Sequence, residues 1–270
     1  MKGIKHKNAL KIGLHSSAAI TDILAIEEPL EIQLWDYKEE GFFPLSINMR
    51  TPGEDQDLCR GFLFAEGIIG QKGDIQEIEQ TNENVIRIRL VPQIRINQGK
   101  IERYFFSSSS CGVCGKKSLN NLSFHSCYFP AKGHPLIDVS TLLSLPQQLK
   151  SAQSLFQQTG GIHAAGLFSP QGELLLIRED VGRHNALDKL IGAALEQAVF
   201  PWRDHLLLLS GRISFELIQK ASMTGVPIIA AVGAPSSLAV ELAEECGITL
   251  IGFIRDKRCN VYTGEERLRR

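Results

Sequence analysis

His205-Leu-Leu-Leu-Leu-Ser210 is a continuous apolar run between polar residues, and two more of the same kind follow, Val226 to Val232 and Ile248 to Ile254. Short runs without polar alternation belong to strands buried on both faces. The segments between them, 214–224 and 236–246, read as helices. Short apolar strands alternating with helices predict an α/β fold whose parallel or mixed sheet is covered on both faces. Upstream, Asn185 to Val199 carries Leu187, Leu190, Ile191, Ala194, Leu195 and Ala198 at helical spacing. His163 to Phe168 and Glu173 to Ile177 read as strands joined by a Ser-Pro-Gln-Gly turn. Val139 to Phe156 is a helix that Gly160-Gly161 breaks.

Before residue 115 the pattern is different. Glu31 to Trp35, Leu45 to Met49 and Val85 to Leu90 alternate apolar and polar residues, as strands with one wet face do. Thr51-Pro52-Gly53-Glu54 resembles a helix start, with Thr51 as N-cap and Pro52 at the first helical position. The helix it opens puts Leu58, Phe62 and Ala65 on one face, and Gly67 ends it. The expected organisation is a flexible basic tail over 1–20 and a smaller strand-rich N-terminal domain over 21–115. A linker over 116–135, marked by Gly133-His134-Pro135, leads to an α/β domain over 136–270.

Lys plus Arg number 29 and Asp plus Glu 30, so bulk charge favours neither nucleic acid nor membrane, and an anion site has to come from local clustering. The apolar stretch near the N-terminus is interrupted by Lys11, His15 and Asp22, which argues against a signal peptide, and no apolar run approaches a membrane span. A cytoplasmic protein with reduced cysteines is expected. Six cysteines in 270 residues do not make a disulfide scaffold.

Ser107 to Lys117, S-S-S-S-C-G-V-C-G-K-K, presents Cys111 and Cys114 in a run of small residues. Lys116 and Lys117 favour thiolate over thiol, so the sequence predicts a reactive dithiol on a loop. C-x-x-C serves redox, metal and sulfur-transfer chemistry alike. With His125 and Cys127 it also makes C-x2-C-x10-H-x-C, a possible structural zinc site. Cys59 and Cys246 fall on helical segments and read as packed, inert thiols.

Arg178-Glu-Asp-Val-Gly-Arg-His-Asn185 lies between a strand and a helix, where α/β sheets place ligands, and Arg183 and His184 could both donate to an anion there. The plainer reading has Asp180 capping the turn and Arg183 in a surface ion pair. Ser210-Gly211-Arg212 and Gly233-Ala-Pro-Ser236 follow the next two strands, and Phe253-Ile254-Arg255-Asp256-Lys257-Arg258 ends the last with three cations in four residues. Together these turns predict a common crevice suited to a polyanion. Thr159-Gly-Gly-Ile-His163-Ala-Ala165 invites comparison with zinc deaminases, but Ala165 stands where the catalytic Glu would be and no P-C-x-x-C follows.

Met49-Arg-Thr-Pro-Gly53, Gly61-Phe-Leu-Phe-Ala-Glu-Gly-Ile-Ile69, Ser109-Ser-Cys-Gly-Val-Cys-Gly115, Thr159-Gly-Gly-Ile-His163, Glu179-Asp-Val-Gly-Arg-His-Asn-Ala186 and Ser210-Gly-Arg212 together resemble the FdhD family of formate dehydrogenase accessory sulfurtransferases. The resemblance implies a cytidine-deaminase-like C-terminal domain without zinc chemistry. It also implies transfer of sulfur from a cysteine desulfurase to the bis-molybdopterin guanine dinucleotide molybdenum cofactor, before insertion into formate dehydrogenase. On that reading Cys111 carries a persulfide and Cys114 assists release. The segment 253–258 is similar to the family's cofactor-binding segment, with Arg255, Lys257 and Arg258 on phosphates and Arg183, His184 and Arg212 as further contacts. A homodimer is implied as well. The alternative is a non-catalytic cofactor-binding chaperone with zinc at the cysteine loop.

Overall fold

The computed structural model describes residues 3–94 and 128–270. Cys111, Cys114, His125 and Cys127 lie outside the described residues. The three apolar runs become β10 (Leu206–Leu209), β11 (Ile228–Ala231) and β12 (Thr249–Arg255), parallel to one another. On one side β13 (Arg258–Thr263) returns antiparallel to β12; on the other, β8 (His163–Phe168) runs antiparallel to β10 and to β9 (Leu174–Asp180). The order is β13-β12-β11-β10-β8-β9, a mixed sheet.

Alternation within the strands divides two cores. Leu206, Leu208, Ile228, Ala230 and Ile251 face α2 (Val139–Ala152), whose Leu142, Leu145 and Leu149 complete one cluster. Leu207, Leu209, Ile229, Ala231 and Leu250 face the other way, into a cluster with α4 (Arg183–Glu196), α5 (Phe215–Ser222) and α6 (Ser237–Glu245). Helices therefore cover both faces, as expected. The expected helix ending near Phe156 is two pieces, with α3 (Ser154–Thr159) after a break at Gln153. Glu179 caps α3 by accepting from the amides of Leu155 and Phe156 at 2.9 Å. Ala198 lies beyond α4 and is exposed, with φ 57, rather than on its apolar face.

A second sheet has the order β4-β3-β6-β5, formed by β3 (Glu28–Asp36), β4 (Gly41–Arg50), β5 (Ile75–Asn82) and β6 (Val85–Leu90). Its Leu30, Ile32, Leu34, Leu45, Ile86 and Ile88 join the same hydrophobic cluster as α1 (Asp55–Ala65) and α4. The expected N-terminal and C-terminal units thus share a continuous core. Helices α1 and α4 meet at glycines: a Cβ on Gly61 would overlap the carbonyl of Asp188, and one on Gly192 the carbonyl of Asp57.

Two local expectations are corrected. Residues expected as a loose tail form a hairpin, β1 (Ile4–Gly13) with β2 (Ser16–Ala25), paired from Ile4↔Ala25 to Gly13↔Ser16. Most of its residues are exposed, so no buried face imposes a readable apolar pattern. The N-cap of α1 is Glu54, in the left-handed region at φ 56, and not Thr51. Thr51 has other partners: its amide donates to Asp180 Oδ2 at 3.1 Å, and its hydroxyl accepts from the Val181 amide at 3.1 Å. Contacts to residues far along the chain outcompeted the local cap.

Candidate functional site

β9, β10, β11 and β12 all end at one edge of the large sheet, and β8 begins there. The turns leaving them are tied backbone to backbone. Gly233 donates to Gly211 O at 3.2 Å, Phe253 to Gly233 O at 3.1 Å, and Ile213 to Ala234 O at 3.0 Å. A Cβ on Gly233 would lie 2.7 Å from Gly211 O, so the approach requires glycine. The small-residue turns are thus brought together along this edge.

At one end of it stands the β12–β13 hairpin. Asp256 (φ 53) and Lys257 (φ 58) form its two-residue turn between the paired Arg255 and Arg258. Two left-handed central residues match the strand twist. A bulge precedes the turn, with Phe253 at φ 55, strained for an aromatic residue. Arg255, Lys257 and Arg258 are exposed and form no ion pair among the described residues, so their charge is free to meet an anion. The Arg255 guanidinium lies 5.8 Å from the Phe253 ring centroid. Ile254 points the other way, into the core, and anchors the hairpin without presenting a side chain to a ligand.

The other end is the β9–α4 turn. Asp180 is fully buried; its carboxylate accepts from the amides of Thr51 and Gly182, from Asn185 Nδ2, and from Lys189 Nζ at 2.8 Å. Lys189, itself buried, also donates to Thr51 O at 2.9 Å. Asn185 Nδ2 donates to Met49 O at 2.7 Å. Arg50 is fully buried and bidentate on Asp55, at 2.9 and 3.1 Å, and donates to Glu83 O at 2.7 Å. The Met49–Gly53 and Glu179–Ala186 motifs are therefore one interlocked structure that fixes the turn carrying Arg183 and His184. Asp180 caps that turn, as the plainer reading held, but among the described residues Arg183 is in no ion pair, and its buried Nε has no partner.

His184 Nε2 lies 3.1 Å from Ser214 Oγ and 3.4 Å from Glu216 Oε2. Burial is the main cause that lowers its pKa, to about 4, against the pull of Glu216. Near neutral pH it is uncharged, and its contact with Glu216 is a hydrogen-bonding one. Burial likewise lowers His163, with Arg183 acting in the same direction and Asp180 opposing. Below this turn, Lys220 Nζ lies 3.0 Å from Asp188 and 3.5 Å from Glu66. Several carboxylates share that one ammonium; Lys220 holds its proton, and burial pushes Asp188, whose Oδ1 has no partner among the described residues, up to about 7.

The His184 shift has a testable sign. A histidine depressed in the folded state contributes stability that is full above its ordinary value near 6.5 and lost as pH falls toward 4. From pH 7 to 5 the loss is about 2 kcal/mol. Asp188, raised by folding, contributes the opposite slope, so the readout is the difference between proteins. His184→Gln should lose less stability than wild type on acidification in urea titrations. Parallel slopes would remove the assignment.

Arg212 is exposed beside Gly211. Buried Cys59 and Cys246 behave as the packed thiols expected: burial pushes both up, Cys246 to about 12. The sequence reading missed Lys189, Lys220 and Asp188, whose signal was only a charged residue on the inward face of a helix. It read His163 only against the deaminase pattern. Among the described residues no group of three or more His, Cys, Asp or Glu is placed to hold a metal, and no helix is long and apolar enough to cross a membrane.

The sequence model of the FdhD/NarQ family matches residues 25–269. A protein of Mycolicibacterium paratuberculosis named sulfur carrier protein FdhD is 46% identical over 92% of this chain and 92% of its own length. One of the same name from Saccharolobus solfataricus is 43% identical over 92% and 91%. The crystal structure of a candidate formate dehydrogenase accessory protein from Desulfotalea psychrophila superposes with a TM-score of 0.77 at 25% identity, covering 99% of this chain and 100% of that one. By sequence along nearly its whole length, and by the shape of its mixed sheet, this chain belongs to the FdhD/NarQ family.

Proposed function

We propose that this chain is a sulfur carrier that serves formate dehydrogenase by delivering sulfur to the bis-molybdopterin guanine dinucleotide molybdenum cofactor, held as cargo. The names of its relatives support the sulfur-carrying role. The observation that carries the cargo reading is the rim itself. Arg212, Arg255, Lys257 and Arg258 are exposed, with no ion pair among the described residues, on a chain of formal net charge -1, along the strand-end edge where α/β sheets bind nucleotides. Phosphates and guanines need that concentration of cations and an aromatic neighbour such as Phe253.

In this reading the Cys111 thiolate attacks the outer sulfur of a cysteine desulfurase persulfide. A Cys111 Sγ–S bond forms, the desulfurase S–S bond breaks, and the desulfurase thiolate leaves. Cys114 then attacks Cys111 Sγ, and the outer sulfur departs as hydrosulfide toward the metal of the cargo. The Cys111–Cys114 disulfide left behind is reset with two electrons from a dithiol reductant. A homodimer is part of the same proposal. Incubation with a cysteine desulfurase and cysteine should give, by intact-mass spectrometry, a reducible gain of one sulfur. No gain would overturn the carrier role in favour of a cofactor-binding chaperone, which predicts stoichiometric zinc lost on Cys111→Ser.

A further inference from the structure

The β1–β2 hairpin precedes the residues, 25–269, that the family model matches. Gly3 seats its base on the body, where an added Cβ would lie 3.2 Å from Thr51 Cγ2 and 3.6 Å from Leu155 Cδ1. Beyond that base, every residue from Lys5 to Ala19 is exposed. Residues paired directly across an antiparallel hairpin share a face, so the register sorts the side chains. One face takes Lys5, Lys7, Lys11 and Asp22, which are all the Lys, Arg, Asp and Glu residues of the two strands. The other face takes none of them. On it Leu10 is 62% and Ile12 74% exposed, beyond what a lone two-stranded hairpin leaves to water at no cost. The polar pair at its middle is satisfied within the face, because Thr21 Oγ1 donates to Asn8 Oδ1 at 3.4 Å. A dry, uncharged covering layer therefore strands no charge there.

We propose that this uncharged hairpin face is where a second copy of the chain packs, about a twofold axis running along the strands. This rests on the homodimer in the function proposed above and names its contact. Two observations select a second copy as the occupant. The first is charge. The core of a homodimer interface is depleted of charge, whereas a contact between unlike proteins is about as polar as ordinary surface. With the three lysines on the reverse side, two copies of the uncharged face meet without like-charge repulsion. The second is shape. Large residues of β1 are paired with small residues of β2, Leu10 with Ala19 and Ile12 with Ser17, so a ridge runs beside a furrow. A twofold axis along the strands turns one face onto the other and lays each β1 over its partner's β2. Leu10 then sits over the partner's Ala19 and Ile12 over the partner's Ser17, and the two surfaces interdigitate. Strands of 10 residues give a face roughly 34 Å long and about 10 Å wide. Two such faces remove on the order of 700–1,000 Å² from water, at the low end of specific interfaces, so the dimer should dissociate in the micromolar range.

The test is sedimentation velocity of the full chain over a dilution series. Wild type should pass from dimer to monomer as it is diluted. Leu10→Lys and Ala19→Glu should each weaken association about tenfold or more, because each buries an unpaired charge. Both positions are exposed, so urea denaturation of either variant at a concentration where wild type is monomeric should match wild type. An equimolar mixture of the two variants should recover the dimer. In the mixed pair the new lysine faces the new glutamate, and the second Leu10–Ala19 contact is unaltered. A mixture that stays monomeric would overturn the proposal. Lys11→Glu, on the reverse face, should associate as wild type does; loss of its dimer would overturn the assignment of faces. Added salt should not weaken the dimer, since no charge crosses the contact, and a dimer that salt dissolves would overturn it too. A dimer that Leu10→Lys and Ala19→Glu both leave intact would place the contact elsewhere, with the homodimer itself standing. A wild-type chain that is monomeric at every concentration would instead remove the homodimer from the proposed function, leaving this face to an unlike partner.

Discussion

Replacing Gly61 with alanine is expected to cost about 3 kcal/mol or more of folding stability, and Gly192→Ala a similar amount. In an ordinary helix the same change is stabilising, since glycine costs helix about 1 kcal/mol relative to alanine. Here the added methyl meets backbone. At Gly61 it overlaps the Asp188 carbonyl and at Gly192 the Asp57 carbonyl, and neither can rotate away as a side chain could. The helices would have to separate, opening the core between the two sheets and disturbing the Lys220–Asp188 pair on the facing turn. Once they are apart, the second methyl costs little, so the double variant should lose clearly less than the sum of the single changes. Gly73→Ala is the control: nothing lies within 4 Å of its Cβ position, and it should be near neutral. Urea denaturation of the four proteins measures all of this, and single variants as stable as the control would show that the helices do not pack this closely.

Cys111→Ala is expected to lower sulfur delivery on the order of a thousandfold or more, because a transfer that passes through one nucleophile has no residual route without it. The described thiols offer no substitute. Cys59 and Cys246 are buried and their thiols are pushed up by burial, while Cys259 is half-buried and raised for the same reason. Intact-mass spectrometry after desulfurase treatment should show no added sulfur on Cys111→Ala. Cys114→Ala should keep the added sulfur and release it slowly, and formate dehydrogenase matured with either variant should have little activity. If the gain vanished only in Cys114→Ala, the two roles would exchange. A gain surviving in both variants would place the carrier thiol elsewhere.

The division between local and long-range information is clear in particular residues. The runs at 205–210, 226–232 and 248–254 were legible as buried strands, and 214–224 and 236–246 as helices, because hydrophobic period and length are local properties. The alternation at Val85–Leu90 located β6 to the residue. The turns at Gly211, Gly233 and Phe253 could be placed on one edge, since strands joined by helices must end together. The hairpin of residues 4–25 escaped notice because it buries almost nothing, and β13 because its exposed polar side chains carry no period.

The sequence by itself determined the buried strands β8 to β12 of the large sheet, their helical cover and the cationic segment 253–258, since each is written in residues adjacent along the chain. Only the tertiary structure decided that Thr51 ties to Asp180 and Val181 and not to its own helix, and that Gly61 and Gly192 mark a helix–helix contact. It alone brought the His163 ring close against Gly211. Those decisions join residues that are far apart in sequence, and no local pattern records which distant backbone will arrive beside a given side chain.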